Sequence, residues 1–264
     1  MSALLDLQAM ETVERPSVAA FRARYRDRNQ AVLIRGALTR WPALGRWSPE
    51  QLRERFGELK VPAYEMRDGR IVLDPRLGFR IVEVTVRDYV DQVLAGGPPR
   101  LFLRARLPEV LPALMQEIET PAYCEGGLLL RRNLWFSATD NVTSLHFDLP
   151  DNLVAQVHGT KRFILFPPRE SKHVYAHPKL SSTPHLAHLD PERPDLARYP
   201  EATKARGFSC TLEPGDLLFI PSRWWHYARS PEPSVSVNFW WASPVLYPLV
   251  RASDLYKRLR GLNI

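Results

Sequence analysis

From about residue 134 the chain alternates apolar and polar positions with period two. The runs DNVTSLHFDL, NLVAQVHGTKRFILF, FSCTLEPGDLLFI and SVSVNFWW are separated by Pro, Gly and Asp turn signals. Several short strands punctuated this way predict a sandwich or small barrel, and a barrel of this size can hold a metal and a small ligand in its mouth. The first half mixes periods. Ser48-Pro49-Glu50-Gln51 puts a capping Ser, a Pro at the first helical position and a Gln two residues later ahead of LRERF, with Gly57 as a stop. Thr85 heads a second helix to residue 94, with Val86, Tyr89, Val90 and Val93 as its apolar stripe and Gly96-Gly97 ending it. Ser17 caps a third ending near Arg28, and residues 109–117 form a fourth with Pro112 in its first turn. Residues 31–34, 60–64 and 101–103 read as short strands. Residues 167–207 are long, Pro-rich and irregular, and a loop of that length in a compact domain is functional or mobile. Residues 252–259 read as a terminal helix that either packs on the body or forms a dimer contact.

Composition narrows the class. At 264 residues, 45% apolar and 25% charged, the chain has enough apolar surface for one folded domain over 1–264. It divides into an N-terminal α/β part (1–130), a β core (131–243) and a short C-terminal helix (244–264). The net charge of +7 comes from Arg, since Lys occurs only at 60, 161, 172, 179, 204 and 257. It either favours an acidic partner such as RNA, an acidic peptide or a carboxylate, or reflects nucleotide composition alone. Cys124 and Cys210 are too few for a disulfide framework or a zinc ribbon and fit a reducing compartment. MSALLDLQAMETVERP lacks a basic segment followed by a long apolar stretch, and 18 consecutive apolar residues occur nowhere. These features predict a cytoplasmic protein with no membrane segment, a monomer or homodimer.

The chemistry begins at His146-Phe147-Asp148. Positions i and i+2 of a strand share a face, so His146 and Asp148 converge while Phe147 packs behind them. A third imidazole is available at His226, in IPSRWWHYA after the Pro214-Gly215-Asp216 turn. Two His and one carboxylate on one side of a metal leave three positions open, the facial arrangement of non-haem Fe(II) oxygenases. An HxD pair alone is a weak signal, because such triplets recur by chance. Lys161, fifteen residues after His146, opens the apolar run RFILF just past His158-Gly159. A buried ammonium there needs a counter-charge such as a dicarboxylate; otherwise the side chain lies at a strand end and reaches water. Asn238 and Trp240 share a face of VSVNFWW, as ligand-orienting groups or as an ordinary core amide and aromatic. His173, His177, His185 and His188 in the long loop have no carboxylate or Cys companion, so a second metal site there is the weaker reading.

Together HFD, Lys161, PGDLLFIPSRWWH and VNFWW resemble the JmjC-related, cupin-like 2-oxoglutarate oxygenases, within the group of small hydroxylases that includes the hypoxia-inducible factor asparaginyl hydroxylase and the tRNA wybutosine hydroxylase. AVLIRGALTRWPALGRWSPEQLRERFG is similar to that family's N-terminal region, and DPERPDLARYPEATKARGFSCTLEPGD to the wybutosine enzyme's stretch ahead of the distal His. The resemblance implies a mainly β protein with flanking helices, a double-stranded β-helix (jelly-roll or cupin) barrel extended by the N-terminal α/β part. It implies Fe(II) on His146, Asp148 and His226, with 2-oxoglutarate and O2 as co-substrates. It also implies that Lys161 and Thr143 take the distal carboxylate of 2-oxoglutarate, and that Asn152 and Asn238 lie in the same pocket. One position departs from the pattern: RLFLRARL has Phe102 where the asparaginyl hydroxylase has a Tyr hydroxyl on 2-oxoglutarate. Tyr64, Phe102, Arg104, Arg131, Asn133, Trp135, Arg223 and Trp240 are candidates for the substrate channel, each with a structural role as its alternative.

The leading expectation is hydroxylation of a C–H bond on a protein or peptide side chain, with succinate and CO2 as co-products. Hydroxylation of a tRNA nucleoside comes second and N-methyl demethylation third, a small-molecule substrate staying open. A cupin that binds metal or a small molecule without catalysis is the reading from a different class.

Overall fold

The alternating runs pair into two facing sheets. This is seen in a computed structural model that describes residues 5–74, 78–178, 181 and 183–259. The first four residues of the N-terminal stretch and the last five of the C-terminal segment lie outside the described residues. One sheet runs Leu101–Arg106, Leu128–Ser137, Ser234–Ala242, Asp151–His158, Leu217–Ile220, Val32–Arg35, Thr12–Glu14. The other runs Leu7–Ala9, Gly207–Leu212, Lys161–Phe166, Trp225–Ser230, Asn141–Phe147. The Lys60–Arg67 strand bridges one edge: it pairs with Leu101–Arg106 and, through its partner Arg70–Ile71, reaches the 141–147 strand. The result is a jelly-roll barrel with few helices.

Period two sorts the side chains. In Ser234–Ala242, Val235, Val237, Phe239 and Trp241 face outward into a core shared with Trp41, Trp47, Leu52, Tyr89, Val90 and Val93 of the N-terminal part. Ser236, Asn238 and Trp240 face the barrel interior by the same alternation. A second apolar cluster, including Leu33, Val154, Phe163, Leu165, Leu218, Ile220 and Trp224, fills the interior. On the outer face of the smaller sheet Leu145, Ile164, Phe166, Trp225 and Tyr227 are covered by Val174, Leu189 and Ala202 of the long loop. Among its described residues that loop forms turns of 3-10 helix at Pro168–Lys172 and Pro200–Lys204 and isolated bridges of Ala176 with Ala187 and of Leu186 with His146. It lies alongside the His146 strand, where Phe147 N–H donates to the His185 carbonyl (3.0 Å) and Ala187 N–H to Leu145 (3.0 Å).

The capped helices form as the caps require. Pro49–Phe56 carries the full capping box of Ser48 and Gln51, and Val86–Ala95 is capped by the Thr85 hydroxyl. The Ser17 helix forms as Val18–Phe21 continuing into a π-helical turn, Arg22–Arg26, where Asp27 N–H reaches the Arg22 carbonyl at 2.9 Å. The expected 109–117 helix is corrected: a turn at Leu107–Val110 breaks at Leu111 (φ −133°, ψ 59°) before a 3-10 segment, Pro112–Glu117. The residue preceding a proline is driven out of the α region, so Pro112 divides the helix rather than joining its first turn. The strands at 60 and 101 run on to Arg67 and Arg106, and the terminal helix spans Tyr247–Leu259.

Candidate metal and co-substrate site

His146 and His226 are direct cross-strand partners, with ring centroids 4.1 Å apart. Asp148 follows the end of the His146 strand, and its Oδ2 lies 3.7 Å from His226 Nε2, too far for a hydrogen bond. One donor atom from each of the three residues falls within 4.8 Å of the others, the spacing of atoms arranged around one cation. Both rings are oriented from behind. His146 Nδ1 lies 2.8 Å from the Ser144 carbonyl and His226 Nδ1 lies 3.0 Å from that of Trp224, so each Nδ1 carries the proton and each Nε2 lone pair faces the cluster. Burial, reinforced by the neighbouring His146, pushes the His226 imidazole down to about 4, which keeps it neutral and metal-competent at pH 7. The Arg223 N–H donates to the Asp148 carbonyl (2.8 Å) from a left-handed conformation (φ 66°), fixing the backbone that carries the carboxylate.

A small cavity opens from these three residues and is lined also by Trp135, Thr143, Asn152, Val154, Lys161, Phe163, Ala228 and Asn238. Thr143 and His146 are three apart, so a regular strand would place them on opposite faces. A bulge between them, where Ser144 and Leu145 together oppose Tyr227, returns both to the cavity. Lys161 is 5% exposed, and its ammonium donates to Ser236 Oγ at 2.9 Å. Burial drives its pKa from 10.5 down to about 7. Gly159, at φ 63° in the turn before it, sets the strand's register: a Cβ there would stand 2.1 Å from the Pro233 carbonyl oxygen. Asn238 Nδ2 donates to Asn152 Oδ1 (3.1 Å), tying two adjacent strands across the cavity wall.

The other sequence-predicted residues sort by distance from the cavity. Phe102 is fully buried behind Trp135, with ring centroids 5.4 Å apart, and is not part of the lining. Arg104 stacks among Tyr64, Trp135 and Trp240, and Arg131 lies over the Trp240 ring at 5.7 Å. Asn133 is buried directly across from Asn238. The Arg223 side chain is exposed, so only its backbone serves the site. In the long loop, His177 and His188 stack at 4.1 Å and His173 pairs with Glu170; among the described residues His146, Asp148 and His226 are the only metal-sized group. Sequence reasoning missed Ser236, although its position two before Asn238 put it on the cavity face, and the Ser144 and Trp224 carbonyls, which have no side-chain signature.

The family description "Cupin-like domain" matches residues 18–246. The chain belongs to the cupin-like domain family. Within it, the chain is 32% identical over 238 residues to lysine-specific demethylase 8 of Danio rerio, covering 86% of this chain and 57% of that protein. It is 30% identical over 253 residues to the bifunctional peptidase and (3S)-lysyl hydroxylase JMJD7 of Homo sapiens, covering 82% and 79%. Against tRNA wybutosine-synthesizing protein 5 of Danio rerio it is 29% identical over 240 residues, covering 82% and 70%. The chain thus spans little more than half the length of the demethylase. No described helix of this cupin-like domain is long and apolar enough to cross a membrane.

Proposed function

We propose that this cupin-like domain is an Fe(II)- and 2-oxoglutarate-dependent dioxygenase that hydroxylates a C–H bond on a protein or peptide side chain. The observation that carries the reading is the meeting, in one cavity, of a two-His, one-carboxylate cluster with both imidazoles held as Nδ1–H tautomers and a buried lysine whose burial calls for an anion. The donor set suits Fe(II), since it occupies one side of the metal and leaves positions for co-substrate and dioxygen. Lys161, Thr143 and the Asn152–Asn238 pair suit the far end of a dicarboxylate.

When bound, iron and 2-oxoglutarate supply the oxidation: dioxygen is consumed, succinate and CO2 leave, and one oxygen atom enters the substrate C–H bond. The chain's own residues prepare that event. His146, Asp148 and His226 fix the metal's open side toward the cavity. Lys161 becomes fully charged against the distal carboxylate while Thr143 donates to it. Val154 and Phe163 keep water from the wall behind. With Phe102 where a phenol would stand, Lys161, Thr143 and the Asn152–Asn238 pair carry the anchoring.

Reconstitution with iron and a panel of peptides tests the reading: substrate-dependent succinate should accompany a mass gain of one oxygen atom on the peptide, and His146→Ala should abolish both. Succinate formation that survives His146→Ala would refute the ligand assignment. The net charge of +7 supports tRNA as the second substrate class. RNA binding that falls steeply with salt would favour it, and no binding at low salt would remove it.

A further inference from the structure

Beside the metal cavity the inward face of the larger sheet carries a cage that is already filled by the protein's own cation. The Arg104 guanidinium lies 4.9 Å from the Trp135 ring, 5.5 Å from Trp240 and 5.7 Å from Tyr64. Trp135 is itself part of the cavity wall, so the guanidinium stands one ring away from the cavity. Among the described residues Arg104 forms no ion pair. The acids of the adjoining segments are already engaged, Glu65 with Arg80 at 3.1 Å and Glu109 with Arg106 at 3.0 Å.

An independent observation points the same way. Trp135 Nε1, Trp240 Nε1 and Asn133 Nδ2 are buried without any hydrogen-bond partner. All three sit on this face by register, Asn133 opposite Asn238, Trp240 opposite Arg131 and Trp135 opposite Arg104. Each is a donor. Buried donors left unpaired are costly, and a cluster of them beside the Arg104 guanidinium is complementary to an acceptor-rich anion. Three aromatic faces around one point would otherwise suit an ammonium or methylammonium group, but Arg104 occupies that place and repels another cation.

We propose that Arg104 is a specificity-determining residue that selects a carboxylate-bearing substrate, an aspartyl or glutamyl side chain or a free amino acid of that kind, and rejects lysyl, methyl-lysyl and arginyl groups. The proposal names the substrate class for the oxygenase reading and rests on it, but it concerns binding and is tested without turnover. Wild-type protein loaded with Mn(II) and stoichiometric 2-oxoglutarate is titrated with blocked pentapeptide pools that differ only at the central residue, Asp, Asn, Lys or trimethyl-Lys. Intrinsic tryptophan fluorescence, to which Trp135 and Trp240 contribute, is the readout. The Asp pool should bind at least about tenfold more tightly than the Asn pool, and the Lys pools more weakly still. Arg104→Gln should erase the Asp preference and Arg104→Glu reverse it, each variant being checked for native circular dichroism; if the reversal variant fails to fold, Arg104→Gln decides. Free aspartate binding as tightly as the Asp pool would support the proposal with a small molecule as the source.

Equal or tighter binding of the Lys pools, or a folded Arg104→Gln that keeps the Asp preference, would overturn it, as would single-stranded RNA outcompeting every peptide. Asp-selective binding by a protein that makes no succinate with iron in air would defeat the oxygenase reading alone. Succinate production by a protein that prefers cationic peptides would defeat this proposal alone.

Discussion

Replacing Lys161 by Met keeps the unbranched apolar stem and removes the charge, and the structure fixes what should follow. The fall from 10.5 to about 7 means that the ammonium costs on the order of 5 kcal/mol more in the cavity than in water. Because the folded-state value lies below the unfolded one, the unfolded chain binds more protons between about pH 7 and pH 10.5. The penalty is therefore full below pH 7, shrinks as pH rises through that window and is gone above it. At pH 7 it stands at about 4 kcal/mol, so the ligand-free Lys161→Met variant should unfold several degrees above wild type. It should also lose the function that makes the penalty tolerable. Wild type should show a clear rise in unfolding midpoint with Mn(II) plus 2-oxoglutarate, and Lys161→Met should show the metal increment alone. Wild-type affinity for 2-oxoglutarate should weaken about tenfold for each pH unit above 7, since binding must then restore the proton. Thermal shift and calorimetric titration between pH 6.5 and pH 8.5 check both parts. A variant that binds 2-oxoglutarate within about twofold of wild type, or a wild-type affinity flat across that range, would refute the reasoning.

Ser236→Ala removes the hydroxyl that accepts from Lys161 Nζ, and the KM for 2-oxoglutarate should rise about fivefold in a succinate assay while kcat is kept. Gly159→Ala places a Cβ against the Pro233 carbonyl oxygen at a left-handed position; it should cost about 2 kcal/mol or more in urea unfolding and weaken 2-oxoglutarate binding by displacing Lys161. Asp216 is buried, pairs with Arg35 and accepts from the N–H groups of Gly36 (3.2 Å) and Glu213 (2.9 Å), so Asp216→Ala should cost about 3 kcal/mol in the same measurement.

What could be read in advance follows from which signals are local. Ser48 and Thr85 act within one turn of themselves, so those helices are found where the caps lie. The strand period is enough to expect His146 and Asp148 on one side, although Asp148 falls just beyond the last strand residue, Phe147, where the Arg223 N–H holds its backbone. Thr143 is different: period two assigns it to the wrong face, and only the bulge opposite Tyr227 corrects it, so its place was reached by resemblance rather than spacing. A proline fits a helix's first turn, which makes Pro112 compatible with a helix over 109–117, but its effect on Leu111 decides the break. The stacking of Arg104 among Tyr64, Trp135 and Trp240 joins residues from four strands and depends on register between them, which no single segment encodes. The long loop's place beside the His146 strand is likewise a product of backbone pairing, at Phe147 with His185 and Leu145 with Ala187.

In the proposed function His146, Asp148 and His226 hold an iron that turns over 2-oxoglutarate. Its most direct test is succinate formed from 2-oxoglutarate in air, over one panel of substrates, by iron-loaded wild type and by Asp148→Ala. Wild type should give substrate-stimulated succinate matched by oxygen consumption, and Asp148→Ala at least about a hundredfold less, with weaker iron retention. Equal succinate from the two proteins, or none from wild type with iron bound, would contradict it.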